Sequence, residues 1–275
     1  MGDKKEKHFV LIHGACHGAW CWYKVIASLK EAGHHRVTAL DMAAGGIDPS
    51  PVEAVSTLHD YFRPLLDFMA SLPSGEKVVL VGHSMGGMGI SLAMEKFPHK
   101  ISVAIFLAAV MPGPNLDYPS IFYEVFMAIL LIEQFNKAMG KEGWMDSSYK
   151  FNNGKENPPT SMLFGPFFMS SQLYNLSPLE DLSLAHLLVR HFPMVGNDES
   201  SDTVILTEEK YGSVNRVYVI GEHELVYKQE FVKWMIEKNP VRQIMTISAA
   251  DHMIMFSNPL DLCKCLQEIA AHHNI

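Results

Sequence analysis

The chain has 275 residues, 48% hydrophobic, 10% aromatic and 19% charged, with 22 Lys and Arg against 30 Asp and Glu for a formal net charge of −8. A disordered chain would be less apolar and more charged. At this size folding buries roughly 75% of the surface an unfolded chain exposes, so one large core needs no staples. The acidic balance argues against a nucleic-acid partner, which calls for a basic face, and against an anionic membrane surface.

The stub Met1–His8 is charged and runs straight into strand-like sequence, with no apolar stretch of signal-peptide character. Gly2 does not make a myristoylation signal, because Glu6 stands where Ser or Thr is required. The longest apolar run, Val125–Ile132, is far too short to span a bilayer. The four cysteines (Cys16, Cys21, Cys263, Cys265) have neither zinc-finger nor redox-motif spacing. A cytoplasmic protein with reduced, mostly buried thiols is the expectation.

His8–His13 reads as a buried strand, His17–Ala32 as a helix stopped by Gly33, and Arg36–Leu40 as a second strand. A helix is expected near Pro51–Ser71, a strand at Lys77–Val81, a helix over Met85–Phe97 and an apolar strand over Ile101–Ala109. Alternation at this spacing implies βαβ units and a parallel sheet. Pro112-Gly113-Pro114 then stops the pattern, and the stretch to about Ile205 holds helical pieces, no clear strand–helix alternation and much of the Met and aromatic content. Alternation resumes with a strand at Arg216–Ile220, a helix through Phe231 and Trp234, a strand at Gln243–Ile247 and a closing helix over Asn258–Ala271. The reading is a single α/β domain over 1–275, a mostly parallel sheet flanked by helices. Its core covers about 8–111 and 206–275, and an inserted, mainly helical cap over about 112–205 is a candidate lid.

Gly82-His83-Ser84-Met85-Gly86 matches Gly-x-Ser-x-Gly between an apolar strand and a helix. There Ser84 stands clear of the backbone on a strained turn, the glycines remove Cβ atoms that would collide across it, and the Met85 N–H points towards a developing oxyanion. A serine alone is a poor nucleophile and needs a base. Of 14 histidines, His252 lies in the loop after the final strand, where a Ser–acid–His chain order puts the base. His83 neighbours the serine but points away from it on a tight elbow, which makes it a packing residue. The acid belongs after the strand ending at Ile220, where Glu222 and Glu224 both stand. A second oxyanion donor is expected after the first strand, where Gly14 allows close approach and the Ala15 N–H points inward.

The segments His8–Trp20 (HFVLIHGACHGAW), Val81–Met88 (VGHSMGGM), Tyr211–Tyr218 (YGSVNRVY) and Ala250–Met253 (ADHM) resemble the plant methylesterase family of α/β-hydrolases. That group includes a methyl salicylate esterase and polyneuridine aldehyde esterase, and hydroxynitrile lyases are close relatives. The resemblance runs from His8 to about Ala270. It implies a cofactor-free cytosolic hydrolase of a small-molecule ester, with Ser84 as nucleophile, His252 as base, and Ala15 and Met85 as oxyanion donors. The family has Asp, in a Glu-Asp-Lys run, where this chain has Glu224, and its nearby proline is replaced by Lys228. Glu in this role is acceptable chemistry, with a shifted loop to absorb the extra methylene. Hydroxynitrile lyases of the group have lysine directly after the base, where Met253 stands here, and its methylketone synthases have lost the nucleophile, which Ser84 retains.

Taken together, the expectation is a serine carboxylesterase cleaving the methyl ester of a plant specialised metabolite. The Met- and Phe-rich cap suits a bulky apolar one such as a monoterpenoid indole alkaloid ester, with decarboxylation to follow if the product is a β-aldehyde or β-keto acid. Methyl salicylate, methyl jasmonate and methyl indole-acetate are alternative substrates, and a hydroxynitrile lyase or a hydrolase-derived ligand receptor are alternative functions. His17, Phe126, Met127, Trp144, Phe164 and Met253 are the candidate substrate-binding residues, and no metal site is read. Oligomeric state is left open, a homodimer included.

Overall fold

Short apolar runs bounded by turn residues build the strands, and longer amphipathic stretches build the helices that cover them. The computed structural model describes residues 7–34, 36–118, 120–121, 146–194 and 205–273. Its strands are β1 (His8–Ile12), β2 (Val37–Leu40), β3 (Val78–His83), β4 (Ile101–Leu107), β5 (Ser148–Lys150), β6 (Ser161–Leu163), β7 (Phe192–Pro193), β8 (Arg216–Gly221) and β9 (Gln243–Ile247). The longer helices are α1 (Tyr23–Glu31), α2 (Leu58–Ser71), α3 (Gly86–Lys96), α4 (Leu179–Leu188), α5 (Gln229–Lys238) and α6 (Pro259–His272). Six strands form a sheet in the order β2-β1-β3-β4-β8-β9, every neighbouring pair parallel.

β1 and β3 are buried along their whole length, because helices cover both faces of a parallel sheet and leave no side for polar residues. Successive side chains alternate between those faces. Val10, Ile12, Leu80 and Phe106 pack with Phe62 and Leu65 of α2, Met88 of α3 and Met235 of α5. Phe9, Leu11, Val79 and Ile105 pack on the other side with Val25 and Leu29 of α1 and Leu262 and Leu266 of α6.

Register brings the strand ends level: Ile12 pairs with Gly82, Gly82 with Phe106, and Gly221 with Ile247. The loops after β1, β3, β4, β8 and β9 therefore gather along one edge. The chain moves outward in opposite directions from β1 and β3, and such a reversal opens a crevice at the carboxyl ends of the strands.

Two expected helices are shorter than their patterns suggest. His17 lies in a loop, a 3₁₀ turn follows at Ala19–Trp22, and α1 begins at Tyr23; extended backbone at Gly18 interrupts the run. Likewise the Pro51–Ser71 pattern splits into a 3₁₀ turn (Val52–Ala54) and α2, whose N-cap Thr57 accepts the Asp60 N–H at 3.0 Å. Thr57-x-x-Asp60 is a start signal that the hydrophobic pattern overrode.

The cap also holds an element that the sequence pattern did not show. Among the described residues it carries a three-stranded antiparallel sheet, β5-β6-β7, beside its helices. Strands of two or three residues are too short to display a period, which is why the sequence showed none. Buried polar ties fasten this segment to the core. Asp181 of α4 accepts the Tyr23 hydroxyl at 2.7 Å and the Lys24 ammonium at 2.5 Å. Arg190 donates its backbone N–H to the Cys16 carbonyl at 2.9 Å and its guanidinium to the carbonyls of Gly46 and Asp48. No described helix is long and apolar enough to cross a membrane.

The Asp181 side chain is 1% exposed and the Lys24 side chain 25%, so Lys24 can reach water when its partner is lost. Asp181→Ala is therefore expected to cost about 1–3 kcal/mol, less than the roughly 3–5 kcal/mol of breaking a fully buried pair, seen as a lower urea midpoint at unchanged slope. An unchanged midpoint would show that this tie contributes nothing to holding the cap.

Candidate active site

β3 ends at His83 and α3 begins at Gly86, leaving Ser84 to reverse the chain with φ of +53°. A non-glycine residue there is strained, and the surroundings enforce it. The Ser84 N–H donates to the Leu107 carbonyl at 3.2 Å, while the Ser84 carbonyl accepts from Gly87 and Val110 at 3.1 and 3.2 Å. A Cβ on Gly82 would sit 2.7 Å from the Gly86 carbonyl oxygen, and one on Gly86 2.8 Å from those of Ile12 and His13. The turn closes only because both positions lack a side chain. Gly14 meets the same limit from the neighbouring loop, where a Cβ would lie 2.8 Å from Ser84 Cβ.

That contact brings the loop after β1 against the serine. Ala15 is 3% exposed, and Cys16 beyond it has φ of +63°. Among the described residues neither the Ala15 nor the Met85 N–H has a protein acceptor, although buried amides are nearly always paired. Gly14, Ala15, His17, His83, Ser84, Phe164, Leu173, His252 and Met253 line one small cavity.

His252 enters from the loop after β9 and Glu224 from the loop after β8, adjacent strands at the sheet edge. Glu224 Oε2 lies 2.7 Å from His252 Nδ1, with side-chain exposures of 3% and 1%. The other carboxylate oxygen accepts the Val226 and Tyr227 N–H groups at 2.6 and 3.1 Å. Glu224 is thus held by its own loop, and it orients the imidazole. Glu222 does neither: its side chain is 54% exposed and accepts the Ala249 N–H at 3.1 Å.

The structure brings Ser84, His252, Ala15, His17, Phe164 and Met253 to one cavity, with Glu224 behind His252 and Met85 following Ser84. Phe126, Met127 and Trp144 lie outside the described residues. Among the described residues, the Ser84 hydroxyl's hydrogen-bond neighbour is the Tyr227 hydroxyl at 3.4 Å, not His252. Sequence reasoning missed Tyr227, Leu173 and Asp251. Asp251 is fully buried and accepts the Leu176 N–H at 2.9 Å and the Ser177 hydroxyl at 2.8 Å, tying the His252 loop to the cap. Its only sequence signal is adjacency to His252. His83 does more than pack, because its Nε2–H donates to the His252 carbonyl at 3.0 Å.

Two more histidines share this dry region with His252 and His83. His17 donates from Nδ1 to the Ala15 carbonyl at 2.8 Å and accepts the Tyr174 hydroxyl at Nε2 at 2.7 Å, so both nitrogens are engaged within the protein. His13 donates to the Gly14 carbonyl and accepts the Met42 N–H. Burial pulls the pKa of His17 down to about 4 and lowers those of His13 and His83 too. The unfolded chain, with histidines near 6.5, then binds more protons than the folded one between the two values. Stability accordingly falls as pH drops from 6.5 to 4, with His17 alone contributing about 3 kcal/mol of the loss. Thermal unfolding midpoints should be lower at pH 5 than at pH 7, and His17→Gln should flatten that dependence. A wild-type midpoint that rises on acidification would contradict the neutral, buried state of these rings.

The chain matches the model of the alpha/beta hydrolase family over residues 9–264. It is 46% identical over 272 residues to methyl jasmonate esterase 1 of Vitis vinifera, covering 99% of this chain and 100% of that one. It is 42% identical over 269 residues to polyneuridine aldehyde esterase of Rauvolfia serpentina, covering 97% of each. Among solved structures, tomato methylketone synthase I complexed with 2-tridecanone superposes with a TM-score of 0.89 at 44% identity, covering 98% of this chain and 99% of that one. With the strand-to-helix serine turn and the His252–Glu224 pair on the same sheet edge, these likenesses place the chain in the alpha/beta hydrolase family and, within it, among the plant methylesterases, which are carboxylic ester hydrolases.

Proposed function

We propose that the protein hydrolyses the methyl ester of an apolar plant carboxylic acid through an acyl-enzyme on Ser84. The observation that carries this reading is the single cavity lined by Ser84 and His252, with Glu224 locked to the far nitrogen of the imidazole. In this reading Ser84 Oγ attacks the ester carbonyl while His252 Nε2 takes its proton. Glu224 fixes the tautomer that leaves Nε2 free and stabilises the imidazolium. The Ala15 and Met85 amides, without an acceptor among the described residues, receive the charge that develops on the carbonyl oxygen. Collapse expels methanol, protonated by His252, and water attacks the acyl group along the same path. The Ser84 hydroxyl must turn from Tyr227 to His252, a contact of the kind that tightens when substrate binds.

The walls support an apolar acyl group: Ala15, Phe164, Leu173 and Met253 face the cavity, while both His17 nitrogens are engaged elsewhere. A bulky terpenoid indole alkaloid ester is the substrate we favour on the Met- and Phe-rich composition of the cap, with decarboxylation to follow for a β-aldehyde or β-keto acid. A second reading, methyl jasmonate, is favoured by the 46% identity to the Vitis vinifera methyl jasmonate esterase. A panel of plant methyl esters, with mass detection of the acid and its decarboxylated product, decides between them.

Ser84→Ala should abolish turnover and the burst labelling that a serine-directed phosphonate gives with the wild type. A slow single turnover in the wild type points instead to a ligand receptor, and cyanide release from mandelonitrile faster than any ester cleavage points to a lyase. Glu224→Gln should lower kcat by about 10³-fold or more, whereas Glu222→Gln should change it only a few-fold. Equal, small losses in the two variants would take Glu224 out of the mechanism.

A further inference from the structure

Tyr227 is placed where neither the serine turn nor the histidine–glutamate pair needs a tyrosine. Its hydroxyl lies 3.4 Å from Ser84 Oγ, its ring meets the His252 imidazole edge-on at 5.5 Å, and Phe231 backs it at 5.6 Å. The residue is 6% exposed. Its backbone N–H supports Glu224, a task any residue but proline could perform, so the hydroxyl itself calls for an account.

The alkoxy oxygen of a bound ester has limited freedom. In the tetrahedral intermediate it shares a carbon with Ser84 Oγ, and it must face His252 to receive the proton. A hydroxyl beside Ser84 Oγ, on a ring packed against that imidazole, therefore lies within reach of this oxygen. We propose that Tyr227 is a further catalytic residue, donating a hydrogen bond to the alkoxy oxygen as its bond to carbon breaks. This rests on the esterase reading of the same site. In the step, the Ser84 Oγ–carbon bond has formed and its proton sits on His252. The carbon–alkoxy bond then breaks, its electron pair stays on oxygen, and His252 delivers the proton to give the free alcohol. Tyr227 keeps its own proton throughout. Burial pushes its hydroxyl above the usual tyrosine range, and the Glu224 charge adds to this against the contact with Ser84, so it serves as a neutral donor.

The test uses the hexanoate esters of methanol, trifluoroethanol, phenol and p-nitrophenol with the wild type, Tyr227→Phe and Ser84→Ala, reading kcat/KM, which reports acylation. A donor to the leaving oxygen matters most where that oxygen is most basic. Tyr227→Phe should lose about 10- to 100-fold on the alkyl esters, the range for a hydrogen bond to a charged group, and less than about 3-fold on the p-nitrophenyl ester. Cleavage of the p-nitrophenyl ester also certifies that the variant is folded. A uniform loss across the series, no loss, or a gain would overturn the inference and leave the esterase reading standing. Wild-type rates no higher than those of Ser84→Ala on every ester would remove both.

Discussion

The left-handed backbone at Ser84 is the constraint from which the site is built. Such a residue costs about 1–3 kcal/mol, and here the cost is met by the backbone around it. Leu107 at the end of β4 accepts its N–H, and Gly87 and Val110 donate to its carbonyl. The same turn sets the direction of α3, leaves the Met85 amide without an acceptor among the described residues and brings Gly14 against Ser84 Cβ. A relaxed turn would move the hydroxyl, one amide and the loop carrying the other amide together.

Around that turn the polar groups are held by short-range partners and sealed from water. Glu224 is fixed by two amides of its own loop before it meets His252, and the His252 carbonyl is held by His83. Low dielectric strengthens every one of these bonds and penalises any that is broken. The neutral rings of His13 and His17 belong to the same scheme, since each has one nitrogen donating and the other accepting. A proton on either ring would take away an acceptor that a neighbouring group uses.

Legibility in the sequence followed the distance over which each feature is encoded. The sheet and the serine turn were readable because strands, helices and Gly82–Gly86 are contiguous patterns. His252 was readable once chain order was added; the residues alone left Glu224 beside Glu222, the family resemblance singled Glu224 out, and burial separates the two, with side chains 3% and 54% exposed. The short strands β5–β7 had too few residues to show alternation. Tyr227 and Asp251 meet Ser84 and Leu176 and Ser177, partners far away in the chain, so apart from the adjacency of Asp251 to His252 nothing in their own surroundings distinguished them from an ordinary loop aromatic and a solvated acid.

β4 and β8 are paired neighbours, with Ala104 opposite Arg216 and Leu107 opposite Val219, so the excursion over 108–215 departs from and returns to one continuous ladder. Lengthening a closed loop is thermodynamically cheap, roughly 0.6 kcal/mol per doubling, and evolution can redraw most of such an appendage without disturbing the chassis. The stretch from Tyr174 to Asp181 and Arg190 are exceptions, the first soldered to His17, Asp251 and α1 and the second to the carbonyls of Cys16, Gly46 and Asp48. A substitution along those seams that altered ligand preference would therefore cost stability as well.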